Sequence, residues 1–113
     1  MKIMREQKGG RIINIGSISA HRVRPNSAAY STSKHGISGL TQVTALEGRE
    51  FGISCGCLHP GNVDVERLAG RDEPTMQPSE LAEAVIAMAA LPAHITMLES
   101  IVMPMHQQYI GRG

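Results

Sequence analysis

Tyr30 and Lys34 stand four residues apart, and Ser17 precedes the tyrosine by thirteen. On a helix, a spacing of four sends two side chains out of one side, roughly 40° apart around the axis. A phenol gives up its proton near pH 10 and is by itself a poor acid or base at neutrality. A neighbouring ammonium favours the phenolate, so Lys34 can tune Tyr30 without reacting itself. A serine hydroxyl facing the pair can hold a carbonyl oxygen beside the phenol. Tyr30 then exchanges a proton with that oxygen while a hydride moves at the adjacent carbon. A Tyr and a Lys at this spacing are common, and the pair alone is more often structural than catalytic. The elements around it decide which reading holds.

Arg11-Ile12-Ile13-Asn14-Ile15-Gly16-Ser17 is a β-branched run that predicts a strand ending at Gly16 or Ser17. A loop follows to Pro25-Asn26-Ser27, where Asn26 or Ser27 can cap a helix running from about Ala28 to Glu50. On the wheel of that helix Ala29, Ile37, Leu40, Val43 and Phe51 share a face, widened by Ala28, Gly39 and Leu46. Ser31, Ser38, Gln42 and Arg49 fall opposite. A stripe this broad predicts two partners, the chain's own sheet and another subunit. Ile53–Leu58 reads as a second strand, broken by His59-Pro60-Gly61. Residues 62–77 form a polar connection suited to a binding loop or a short lid helix. Pro78 opens a further helix with Leu81, Val85 and Met88 on one face, and Met97–Met103 forms a third strand. Strand, helix, strand, helix, strand is the pattern of a parallel sheet. Its strand ends, where such sheets gather their ligands, carry Ser17 and the Pro60-Gly61 break.

The 113 residues suit one domain, with 42% hydrophobic and 19% charged residues and a net charge of +1. That balance argues against a nucleic-acid binder or a polybasic membrane protein, and the scarcity of aromatics removes base-stacking platforms. No apolar run is long enough to span a bilayer, and no signal-peptide core is present, which predicts a cytoplasmic protein. The opening Met4-Arg5-Glu6-Gln7-Lys8-Gly9-Gly10 reads as the last turn of a helix, with Gly9 as a left-handed cap.

Cys55, Cys57 and His59 alternate along one strand and so share a face. Structural zinc wants four convergent ligands, so we expect no metal here and assign the cysteines to a buried strand. A disulfide between residues this close is geometrically poor. His21, Arg22 and Arg24 follow Ser17 in a loop where a substrate passes, though a solvated loop is the commoner role for such charges. Arg67, Arg71, Asp72 and Glu73 mix their signs and read as surface. Met88, Met97 and Met103 read as gap-filling core residues.

Asn14-Ile15-Gly16-Ser17, then Tyr30-Ser31-Thr32-Ser33-Lys34, then His59-Pro60-Gly61-Asn62-Val63 together resemble the short-chain dehydrogenase/reductase family. The resemblance covers essentially the whole chain, and the combined motifs are far more specific than Tyr-x-x-x-Lys. It implies an NAD(P)-dependent oxidoreductase working between an alcohol and a carbonyl, with NAD and NADP left open. By position Ser17 is similar to the substrate-orienting serine and Tyr30 to the general acid/base. Lys34 is similar to the lysine that tunes the tyrosine and binds the nicotinamide ribose. Pro60, Gly61 and Val63 match the segment that lies against the nicotinamide. Many relatives carry a threonine two residues after Val63, where this chain has Val65.

The family's Thr-Gly-x-x-x-Gly-x-Gly turn has no counterpart in this sequence. The resemblance therefore makes residues 1–113 the C-terminal half of a Rossmann-like α/β domain, a βαβαβ portion with three parallel strands. Its parts are a catalytic segment (11–50), a turn and substrate-loop segment (53–77), and a closing helix and strand (78–104). The expected partners are a small alcohol or carbonyl and further copies of the chain, in a homo-oligomer formed through helix 28–50. The rival expectation is a truncated, catalytically silent fragment or association module.

Overall fold

The computed structural model describes residues 1–66, 70 and 72–109. In chain order they form α1 (Lys2–Glu6), β1 (Gly10–Ile15), α2 (Ala28–Gly48), β2 (Ile53–Pro60), α3 (Pro78–Ala89) and β3 (Glu99–Val102). Short 3-10 turns cover Ile18–Ala20 and Arg49–Phe51. The sheet runs β1-β2-β3 with both pairs parallel. Gly10 lies opposite Ile53 and Ile15 opposite Leu58, while Cys57 and Pro60 face Glu99 and Val102. This is an α/β Rossmann-like arrangement, as the alternation of strands and helices requires. No described helix is long and apolar enough to cross a membrane.

β2 is the central strand and the most deeply buried element, with Ile53, Cys55, Cys57, Leu58 and His59 all sealed from solvent. Period-two alternation sends Cys55 and Cys57 towards α2, and it turns Gly56 towards α3. A Cβ at Gly56 would meet the Met97 carbonyl and lie 3.3 Å from Met88 Cε, so only glycine lets β3 and α3 close on the strand. Leu81 and Val85 are half-buried and Met88 is buried, as the helical periodicity predicts. Pro78 opens α3, and Gln77 with Glu80 completes a capping box at its start. Arg11 reaches across from β1 to donate to the carbonyls of Met88, Leu91 and Pro92, each at 2.9 Å. A guanidinium placed there satisfies the unpaired carbonyls of the helix end and opposes its negative dipole.

The orientation of α2 reverses the expectation from its helical wheel. Ser31, Thr41 and Gly48 are the buried residues of the helix, whereas Leu40, Val43 and Leu46 remain 55%, 52% and 63% exposed. The reason lies in the partners beneath the helix. Asn14 Nδ2 donates to Thr41 Oγ1 at 2.9 Å, and Thr41 Oγ1 donates to the Ile37 carbonyl at 2.8 Å. A Cβ at Gly48 would lie 2.6 Å from the Ile53 carbonyl, so a larger residue there would lift the helix off the sheet. Small and hydroxyl-bearing residues bring α2 close, and the branched apolar residues are left facing out.

Three smaller expectations also change. Lys8, with φ 58°, takes the left-handed position after α1 in place of Gly9. Ser27 occupies the cap position of α2 but gives its hydroxyl to the Arg24 carbonyl instead of capping. Met97 is substantially exposed, while Met88 fills the core. Arg67 and Arg71 lie outside the described residues.

Burial pushes both thiols above the ordinary value of 9.0, and for Cys55 the nearby Cys57 adds to the rise. The folded chain therefore holds these protons more tightly than the unfolded chain. The stabilisation is complete below about pH 9 and is lost as pH rises through the folded values. We expect both cysteines to resist alkylation at pH 8 until the chain unfolds, and urea titrations to show stability falling above pH 9. For Gly56→Ala the same titrations should lose about 3 kcal/mol, the upper range for overpacked sites. Gly36, by contrast, has open space around it on α2, so Gly36→Ala should gain about 1 kcal/mol from helix propensity.

Candidate active site

The carboxyl ends of β1 and β2 and the first two turns of α2 enclose a cleft of about 370 Å³. Ser17, Tyr30, Lys34, Pro60, Gly61 and Val63 all line it. Residues read separately along the sequence thus meet at one place.

Each is positioned by an identifiable contact. Gly16 ends β1 by donating to the Leu58 carbonyl at 2.7 Å, and a side chain there would collide with the His59 ring. The chain turns directly into Ser17, whose hydroxyl accepts from the Ser19 amide at 3.1 Å. Ser17 is largely buried and its main chain is gripped from behind by His59 Nδ1, 2.9 Å from the carbonyl oxygen and 3.2 Å from the amide nitrogen. Lys34 Nζ donates to the Ile15 carbonyl at 3.1 Å, which ties α2 to the last residue of β1. The same ammonium stands 5.7 Å from the centroid of the Tyr30 ring. Tyr30 itself is 38% exposed at the mouth of the cleft.

The Pro60-Gly61 turn forms the opposite wall. Gly61 donates to the Val102 carbonyl at 2.8 Å, and the Asn62 amide donates to Gln107 Oε1 at 2.7 Å. A side chain on Gly61 would strike Gln107 and Met103, so glycine is needed for the turn to sit against the tail. Asn62 Nδ2 then donates to Glu73 Oε2 at 2.8 Å and to the Pro74 carbonyl at 3.3 Å. Val63 bridges Met76 in parallel, so the described start and end of the 62–77 connection are closed together. Val65, where many relatives carry a threonine, lines the cleft, and the wall there is apolar.

Of the three basic residues after Ser17, Arg24 alone is among the described lining residues. Its guanidinium lies 3.4 Å from Glu73 Oε2. Arg22 lies over the Tyr109 ring at 5.1 Å, and His21 approaches Glu99 at 3.2 Å. The supporting roles of His59, Asn62 and Gln107 gave no sequence signal beyond the Pro-Gly context, because their partners are distant in the chain.

Known proteins resemble this chain over most of its length. Over 104 residues the chain is 34% identical to an oxidoreductase of Staphylococcus aureus, covering 89% of this chain and 45% of that protein. A crystal structure of acetoin dehydrogenase from Salmonella typhimurium superposes with a TM-score of 0.79 at 30% identity, over 90% of this chain and 45% of the other. The closed form of a serine dehydrogenase complexed with NADP+ superposes over 100% of this chain and 51% of its own, with a TM-score of 0.87. Its 21% identity makes it a likeness of fold. The chain thus spans about half the length of these proteins. The family model for short chain dehydrogenases matches residues 1–75, a stretch that holds both strand ends, the Tyr-Lys helix and the Pro-Gly turn. The chain belongs to the short-chain dehydrogenase family.

Proposed function

We propose that this chain carries the catalytic segment of an NAD(P)-dependent oxidoreductase that interconverts a small alcohol and its carbonyl. The observation that supports it most is the convergence of Ser17, Tyr30 and Lys34 on one cleft beside the Pro60-Gly61 wall. In this reading Ser17 donates its hydroxyl hydrogen to the substrate oxygen and fixes it beside Tyr30. Tyr30 gives a proton to that oxygen during reduction and removes it during oxidation. Lys34, anchored on the Ile15 carbonyl, keeps its ammonium beside the phenol and favours the charged form of the ring.

The residues present fit the nicotinamide end of a dinucleotide. Lys34 spends one described hydrogen bond on Ile15 and, as an ammonium, has further donors for ribose hydroxyls. Pro60, Gly61, Val63 and Val65 offer an apolar wall for the ring. The cofactor, when bound, supplies or accepts the hydride. NADP in a fold relative supports a phosphorylated or unphosphorylated nicotinamide dinucleotide and does not choose between them. Two free buried thiols suit a reducing cytoplasm.

A second reading is favoured by the share of its relatives that this chain spans: the segment packs and associates but turns nothing over by itself. Titration with NADH and NADPH separates the two. Saturable binding weakened at least tenfold by Lys34→Ala supports the catalytic reading, while no binding at millimolar cofactor supports the silent one. In an active assembly Tyr30→Phe should remove most turnover, by about 100-fold or more, and leave cofactor affinity nearly unchanged. Turnover like that of the wild type would refute the role of Tyr30.

We also propose that two copies associate through the outward face of α2. Leu40, Val43 and Leu46 form an exposed apolar row that a second copy would cover. Sedimentation should show a dimer that Val43→Glu converts to a monomer. A monomer at every concentration in the unmodified chain would rule this out.

A further inference from the structure

Behind Ser17, on the side away from the cleft, three possible metal ligands converge. His59 Nε2 and His21 Nε2 lie 3.0 and 3.2 Å from the same oxygen, Glu99 Oε1. All three ligand atoms fall within 4.8 Å of one another. The two imidazoles meet edge to face with centroids 4.7 Å apart. None of the three residues lines the cleft.

His59 makes this arrangement more than a surface ion pair. Its side chain is completely buried, and Nε2 makes no hydrogen bond of acceptable geometry despite the oxygen 3.0 Å away. On the other side of the ring, Nδ1 lies 2.9 Å from the Ser17 carbonyl and 3.2 Å from the Ser17 amide nitrogen. When Nδ1–H donates to that carbonyl, Nε2 is left with a lone pair directed at a cluster already holding a carboxylate oxygen. A buried acceptor facing another acceptor is costly unless a positive centre joins them.

We propose that His21, His59 and Glu99 form a binding site for a divalent transition ion of the zinc class. Two imidazole nitrogens and one carboxylate oxygen are a donor set that suits such an ion. At ordinary zinc-ligand lengths the edge of a tetrahedron is about 3.3 Å, close to the two contacts on Glu99 Oε1. The fourth position opens to water on the exposed side, where the side chains of His21 and Glu99 are 32% and 42% accessible. With an ion on Nε2, Nδ1 carries the hydrogen and gives it to the Ser17 carbonyl, an outer partner of the kind common for metal-bound histidines. With three protein ligands and water in its fourth position, the ion has the open coordination pattern, not the closed four-ligand one. It holds the imidazole that grips the main chain of Ser17.

Cobalt(II) added to the metal-stripped chain provides the test, since its visible absorption reports both coordination number and nitrogen ligation. The expected result is an intense band that saturates at one ion per chain and is displaced by zinc. His21→Ala and Glu99→Gln change partly exposed side chains, so each should keep the wild-type far-ultraviolet circular dichroism. Each should weaken cobalt binding at least about tenfold, in line with losses seen even for outer-shell changes. Zinc should also raise the Tm of the unmodified chain and not of either variant. No saturable band, or a band that survives both substitutions, overturns the proposal.

Discussion

Asn14 gives a hydrogen bond to the hydroxyl of Thr41, and Thr41 passes its own to the Ile37 carbonyl. This short relay lies at the centre of the contact between β1 and α2, and the site depends on how close that contact is. Small side chains along the inner face of α2 let the helix settle low on the sheet. Only then does Lys34, two turns before Thr41, reach the last carbonyl of β1 with its ammonium. An α2 held further out by leucines would leave Lys34 short of Ile15 and the tyrosine away from Ser17.

The catalytic candidates were legible in the sequence because their geometry is mostly local. Ser17 follows a strand's end, Tyr30 and Lys34 share a helical side, and proline with glycine marks the next strand's end. The face of α2 was not legible, for a physical reason. A helical wheel ranks faces by apolarity, whereas the sheet beneath this helix offers Asn14 and requires no side chain at Gly48. Hydroxyls and glycine therefore go inside, and Leu40, Val43 and Leu46 go outside. Arg11 was equally silent, since nothing near it in the chain shows that it closes the end of α3.

His59 illustrates how the two sides of a strand end can serve different purposes. Its backbone leads into the Pro-Gly wall of the cleft. Its ring turns the other way, fills the space left by Gly16 and holds Ser17 from behind. The alternation of Cys55, Cys57 and His59 puts all three on one face, but it says nothing of what meets the histidine ring. The groups that meet its Nε2 come from the loop after Ser17 and from β3. Such long-range meetings follow from the parallel register of Cys57 with Glu99 and have no signature in local spacing.

The central claim is that Ser17, Tyr30 and Lys34 hold a nicotinamide and a carbonyl together in the cleft above β1 and β2. Saturation-transfer NMR with NADH or NADPH addresses it most directly, because it maps which part of the dinucleotide touches the chain. The account predicts strong transfer to the nicotinamide and its ribose, weak transfer to the adenine, and loss of the ribose signals with Lys34→Ala. Transfer centred on the adenine, or a pattern indifferent to Lys34, would contradict it.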